Sequence, residues 1–527
     1  MKRRTILTIF LSLFVSIISS TISAAPYPVV PVGTQFALRT DSSSIPGIAR
    51  DADGNYVLVW EIYLYPNDRE IYSQRFDMDD NPIGSAFRVN SYTTGKQWKP
   101  DVDVNSSGEF VVVWQSSDQD GSQEGVYGQR YNFNGVAQGA EFQVSTYTSL
   151  NQNAPKVTML QDGAFVITWS SYQQDGDNFG VYARQFNASG QSTGNEVQIN
   201  QYTVSSQTAP VITSNSNGDI VIVWESFNQG GQWYDIYARL YNSTLDPKGN
   251  EFLVNTNTAQ YQVFPAVAMN ESGNFVVAWS SGYSNFGDDI YAQRFDATGA
   301  ALGAEIAVNS YRLNDQNQVD IAMNDTGDFL ITWESWLQDG SGEGIFAKQY
   351  NSEGLSYDGE IAVNTVTTGS QFSSAVMTGS LQDFLIVWTG SYVSGTDAQQ
   401  GIHGQRLGID FDDDGFASRF DNCPLIANPI QLDNDNDDVG NSCDNCTEKS
   451  NTDQRDSNND GYGNLCDQDL NNDGITNYID LGIFKSNFYS TTYPDGDFNN
   501  DGIINFIDFG VLKANFFQEP GPSGLVP

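Results

Sequence analysis

Histidine is nearly missing from this chain: His403 is the single one in 527 residues. It has no partner in a Ser-His-Asp or Cys-His arrangement, and no zinc-type histidine cluster exists. A lone histidine inside a repeated strand reads as structural. Basic residues are scarce too, 24 Lys and Arg against 65 Asp and Glu, for a formal charge of −41. A phosphate backbone needs a basic face, so this balance excludes a nucleic-acid partner. It fits an exported protein or one that collects cations. No Gly-rich phosphate loop is present, which counts against nucleotide use. The only cysteines are Cys423, Cys443, Cys446 and Cys466, all in one short segment. In an exported chain that pattern signals local disulfides, not redox catalysis. Beyond the first residues no apolar run is long enough to span a bilayer, so no membrane span is expected.

The one apolar run, Ile6 to Ile18, follows Lys2, Arg3 and Arg4 and precedes Ser23, Ala24 and Ala25. This order predicts a signal peptide over 1–24, with cleavage after Ala24 because Pro26 blocks the next bond. The run is short for an anchor, and no cysteine follows it for lipidation. A secreted, extracellular protein is expected, free or held at the cell surface by partners.

What the chain does have is a repeat. Seven apolar runs end in tryptophan: Trp60, Trp114, Trp169, Trp224, Trp279, Trp333 and Trp388, spaced by 54 or 55 residues. A fixed period of that size marks a repeat architecture. Around Trp279 each unit shows four strand-like pieces: Pro265–Asn270, Phe275–Trp279, Ile290–Phe295 and Glu305–Asn309. Four short antiparallel strands make a propeller blade. The last unit stops after its third strand, Gly401–Leu407, while a lone fourth-type strand, Gln35–Arg39, precedes the first. Joining them closes the ring and removes the open sheet edges. The fold class is therefore mainly β, with a seven-bladed β-propeller over 34–407. The tryptophans are expected to pack between blades instead of stacking on sugars. The acidic loops Asp118–Gly121, Gln174–Asp177 and Gln338–Ser341 recur on one rim. They read first as hairpin turn chemistry and second as a ligand or cation rim. The units resemble the roughly 55-residue repeats of large bacterial surface and secreted proteins, which implies an extracellular interaction role without a defined ligand.

From 408 onward Asp and Asn dominate. Five segments place oxygen side chains at loop positions one, three, five, nine and twelve. Calcium takes six to eight oxygen ligands, and glycine at position six permits the turn. The first loop has Asp410, Asp412, Asp414, Gly415, Ser418 and Asp421. The second has Asp433, Asp435, Asp437, Asn441 and Asp444, with Asp438 where glycine belongs, which weakens it. The third has Asp456, Asn458, Asp460, Gly461, Asn464 and Asp467. With Asp421-Asn-Cys-Pro424, Asn428-Pro-Ile-Gln-Leu-Asp433 and Cys443-Asp-Asn-Cys446, this stretch resembles thrombospondin type 3 repeats over 408–467. Four cysteines allow three pairings that spacing alone does not settle; the resemblance favours Cys423–Cys443 and Cys446–Cys466. So little apolar residue is present that metal and disulfides must hold the segment.

The fourth loop, Asp469, Asn471, Asp473, Gly474, Asn477 and Asp480, precedes Leu481–Phe488. The fifth, Asp497, Asn499, Asp501, Gly502, Asn505 and Asp508, precedes Phe509–Phe516. The copies lie 28 residues apart, and apolar residues after each recur with helical spacing. The pair resembles a dockerin, over 468–518. That implies a small α-helical domain binding a cohesin-like or other surface protein. Tyr478-Ile479 and Phe506-Ile507 occupy the tenth and eleventh loop positions, where that family often carries small polar residues. Residues 519–527 are expected to lack structure. The whole reads as a calcium-binding, non-catalytic adhesion protein with a glycan or protein ligand on the propeller and a docking tail. The alternative is a polysaccharide hydrolase or lyase, since a glycosidase needs only two carboxylates; no single blade breaks the repeat in the way an active site would.

Overall fold

Residues such as Phe110–Trp114 are apolar on both faces of a strand, a pattern that requires burial on both sides. The computed structural model satisfies it by placing each such strand inside a four-stranded sheet. It describes residues 29–526 apart from 41–42, 65–67, 284–286, 358, 380–382, 395–396, 413 and 418–420. The signal-peptide reading of 1–24 and the loop residue Ser418 lie outside the described residues. Two compact units separate at Leu407 and Gly408.

The first unit is a seven-bladed β-propeller of seven four-stranded sheets. Blade five runs Tyr261–Met269, Phe275–Tyr283, Gly287–Phe295 and Ile306–Ala307. The fourth strand is shorter than expected because a side chain extends its ladder. Val308 N–H donates to Ile290 at 2.9 Å, and Asn309 Oδ1 then accepts from Ile290 N–H at 2.6 Å. Val29–Arg39 is the outermost strand of the last blade, beside Asp397–Ile409. Gln35 there accepts from the N–H groups of Thr365 and Val366 at 2.8 and 3.0 Å. In other blades a glutamate such as Glu251 or Glu360 takes that place. The seam is also held by the buried Arg406, which reaches Asp80 of blade one at 2.6 Å and Asp383 at 3.1 Å.

All seven repeat tryptophans are fully buried, as packing requires and a sugar platform forbids. Trp114 joins Val57 and Val59 of the preceding blade, and Trp60 joins Leu385 and Val387 across the closure. His403 stacks on Trp388 in the last blade, a structural role. Each innermost strand breaks register once, as at Trp98/Asp101 and Val263/Ala266. The residue there has positive φ and is never glycine: Ile45, Lys99, Ala154, Ala209, Phe264, Gln318 and Ser373. Such a backbone costs about 1 kcal/mol per residue. A side chain directly after the preceding blade's tryptophan holds it in six of the seven. Thr389, Glu61, Gln115, Ser170, Glu225 and Glu334 accept the N–H groups of Ile45, Lys99, Ala154, Ala209, Phe264 and Ser373.

The second unit contains the acidic loops and two helices, α1 (Tyr478–Ser486) and α2 (Phe506–Ala514). Phe484, Phe498, Ile504 and Leu512 form its small core. Cys423 pairs with Cys443 and Cys446 with Cys466. The end of the chain departs from expectation. Gly521 N–H donates to Cys466, Gly524 N–H to Asp444, and Thr447 N–H to Pro522, at 3.2, 2.8 and 3.0 Å. Backbone hydrogen bonding to the acidic loops thus gives residues 521–524 a defined course.

Candidate functional site

On the propeller, the rim loops spend their polar groups on the ring itself. Gln119 donates to Glu141 at 2.6 Å and accepts from Ser116 at 2.6 Å. Gln338 repeats this with Glu360 and Ser335, at 2.7 and 2.6 Å. Asp120, Asp175 and Asp339 accept backbone N–H groups two residues on. This is turn chemistry, and Glu141 and Glu360 carry it to the preceding blade by accepting the N–H groups of Ser91 and Tyr311; Asp120 Oδ2 stays buried without a hydrogen bond among the described residues.

Along the channel the repeat is less regular than the tryptophan spacing suggests. One position of the innermost strands carries Gly47, Asp101, Lys156, Val211, Ala266, Asp320 and Ala375. Three charges therefore meet among small and apolar side chains, and lining up the first strands in the sequence reveals them. Lys156 Nζ lies 2.9 Å from Asp101. Asp101, Asp103 and Asp320 accept N–H groups of the neighbouring or following blade, from Val157, Met159 and Val376, at 2.9, 2.6 and 2.8 Å. These carboxylates work as staples between innermost strands, whose edges face the channel.

Burial pushes Asp103 and Asp320 up to about 6, and Glu225 and Glu334 up to about 7. Each carboxyl holds its proton more tightly folded than unfolded. Their contribution is thus complete below the ordinary carboxylate range and is lost as pH rises through 6 to 7. The propeller's thermal midpoint, followed by tryptophan emission, should be higher at pH 5 than at pH 8. A midpoint that rises with pH would mean these groups fold as ionised partners.

In the second unit the five loops share one backbone course. The first aspartate accepts the N–H of position six in each: Asp410 from Gly415, Asp433 from Asp438, Asp456 from Gly461, Asp469 from Gly474 and Asp497 from Gly502. All five position-six residues have positive φ. Asp438 therefore adopts the conformation that glycine adopts freely. Asp438→Gly should stabilise the second loop by about 1 kcal/mol. Chelator titration of the variant reads this as tighter cation retention, and weaker retention would show that the Asp438 side chain serves the site.

Carboxylate oxygens converge within 4.8 Å in three loops: Asp410, Asp412 and Asp414; Asp433, Asp435 and Asp437; Asp497, Asp501 and Asp508. Both oxygens of Asp412 and of Asp435, and Oδ2 of Asp444, are buried without a hydrogen bond among the described residues. Burial and neighbouring carboxylates push Asp412 and Asp435 up to about 6, and burial above all pushes Asp467 up to about 7. Orphaned, mutually repelling oxygens of this kind fit a hard cation. The other oxygens of the twelfth residues are used locally: Asp421 and Asp444 each accept a cysteine N–H and a glutamine side chain.

Where asparagine stands at position three, its amide donates to position five: Asn458 to Asp460, Asn471 to Asp473 and Asn499 to Asp501, at 2.8, 2.8 and 3.0 Å. The four described ninth residues each accept a backbone N–H. Asn477 and Asn505 are helix N-caps, accepting from Ile479 and Ile507, with Asp480 and Asp508 completing capping boxes. Asn441 and Asn464 instead accept from Asn434 and Ser457 N–H, at 2.9 and 2.8 Å.

Tyr478 and Ile479 are 72% and 57% exposed, and Phe506 and Ile507 71% and 59%. Each pair opens a helix on the outside of the small core. Tyr478 packs edge-on to Phe516, and Phe506 to Phe488, at 5.1 and 5.0 Å between ring centres. The duplication thus builds two matching apolar ridges.

Among curated proteins none matches this chain. Solved structures similar to it include a protein of unknown function from Dyadobacter fermentans, 12% identical, covering 72% of this chain and 98% of that one, TM-score 0.43. A polysaccharide lyase is 9% identical, covering 72% of this chain and 99% of its own, TM-score 0.47. The β-propeller domain of the Trilobed protease from Pyrococcus furiosus is 8% identical, covering 70% and 94%, TM-score 0.41. Residues 409–431 and 455–488 match the family model of the thrombospondin type 3 repeat; the second stretch runs through the fourth loop into α1.

Proposed function

We propose that this is an extracellular, calcium-binding, non-catalytic interaction protein. Two disulfides and the type 3 repeat match support an oxidising extracellular setting. No helix among the described residues is long and apolar enough to cross a membrane. The acidic loops hold calcium through aspartates one, three, five and twelve, with the asparagine carbonyls turning inward at position three in the last three loops. Calcium supplies the counter-charge that orders loops with almost no core. The loop–helix pair is a dockerin-like docking module for a cohesin-like or other surface protein. Tyr478-Ile479 and Phe506-Ile507 are its contact ridges, too apolar and too exposed to serve the internal core. The propeller is the ligand-binding head, with a glycan as the ligand class.

The observation that carries the non-catalytic reading is the commitment of the propeller's inner carboxylates. Glu225, Glu334, Asp103 and Asp320 each accept a backbone N–H of the following blade. A general acid or base must be free to reach substrate. The test incubates the intact protein with insoluble and soluble polysaccharides, in calcium and in chelator, scoring retention and released sugar in the same tubes. Retention without release is expected. Released oligosaccharide would make the propeller an enzyme.

A further inference from the structure

The repeat supplies its own control for unusual residues, and the seam between blades one and two fails that control most clearly. Arg69 is the second residue of the third strand of blade one, Asp68–Phe76. The same register position in the other blades holds Glu124, Phe179, Tyr234, Asp288, Glu343 and Gln400. Lys96 pairs with Arg69 as a parallel bridge, and Lys99 sits at the positive-φ position of blade two. No other blade has a basic residue at any of these three positions. Three of the chain's 24 cations thus gather at one point of a protein with charge −41.

Their surroundings are aromatic. The Arg69 guanidinium lies 5.8 Å from the Trp98 ring centre and 6.0 Å from that of Tyr63. Lys99 Nζ lies 5.2 Å from the Trp98 ring. Trp98 is fixed by its indole N–H, which donates to Glu124 at 2.8 Å. Tyr63 is 47% exposed. The nearby carboxylates are already engaged. Glu61 accepts from Arg69 at 2.5 Å, and Glu124 from Trp98 and Gln115. Neither lysine forms an ion pair with a described residue. Glu61 answers the charge of Arg69, so the two lysines are the cations left to meet an anion, and an exposed ring beside them favours a flat sugar face.

We infer that this seam is the subsite for an acidic polysaccharide, with Lys96 and Lys99 pairing with its anionic groups and Tyr63 offering the ring on which a sugar packs. The inference rests on the glycan-binding reading and names the class of glycan. Carboxylates and sulfate esters present the same chemistry here, so both are tested.

The experiment is affinity electrophoresis of the full chain in constant calcium, through gels containing polygalacturonate, dextran sulfate or the neutral glucan laminarin. The comparison is Lys96→Gln/Lys99→Gln, which leaves the Arg69–Glu61 pair intact; unchanged tryptophan emission checks its fold. Retardation by an anionic polymer, weakened about tenfold in the double variant and by added salt, is expected; the retarding polymer identifies the anionic group. Equal retardation of both proteins, or retardation by laminarin alone, would overturn the acidic subsite while leaving glycan binding in place. No retardation in any gel would overturn both.

Discussion

Chelating calcium is expected to melt the second unit while leaving the propeller folded. The loop segment draws on the little core of Phe484, Phe498, Ile504 and Leu512, and otherwise on two disulfides and on loops whose carboxylates face one another. Without the cation, Asp412 and Asp435 stand beside other carboxylates with their buried oxygens unbonded. A cation at 100 times its dissociation constant stabilises by about 2.7 kcal/mol per site, so emptying several sites removes most of what a small unit has. The propeller has seven sheets packed through fully buried tryptophans and needs no metal for that packing. All ten tryptophans lie between Trp60 and Trp388, so their emission reports on the propeller alone. Hydrogen exchange should rise across 408–526 on chelation with tryptophan emission unchanged. A shift in that emission would show that the two units are not energetically separate.

The second large effect is expected from deleting Val29–Arg39. That strand covers the edge of Asp397–Ile409. Its Phe36 and Leu38 pack with Trp60, Leu385 and Val387 at the closure, and Gln35 ties the ring to Thr365. Deletion leaves the closing sheet with three strands and an unpaired edge, the geometry that recruits a strand from another chain. Size-exclusion chromatography with light scattering should show oligomers and aggregates, with a lower thermal midpoint. A monomer with an unchanged midpoint would mean that the buried Arg406 and its aspartates close the ring alone.

Most of the architecture was legible because one residue type repeats. A tryptophan every 54 or 55 residues marks the inner packing of every blade, and the stray strand at Gln35 points to the closure. The capping role of the position-nine asparagines before the helices was not legible, because loop spacing does not show which of them precede a helix. Asn477 and Asn505 stand directly before a helix whose first N–H groups need acceptors, and that need is local and strong. The channel charges and the basic seam stayed hidden for a different reason. They are single-residue departures inside well-kept strands, visible only when the blades are aligned by register. The bonds from 521–524 to the loops escaped because a Gly- and Pro-rich end carries no periodic signal.

The most direct measurement is a count of calcium ions on the intact protein, by native mass spectrometry at graded calcium and repeated after proteolytic removal of the second unit. Five loops with one shared backbone course predict about five ions per chain, all lost with residues 408–527. An intact chain that bound none, or ions that stayed with the propeller, would contradict the account.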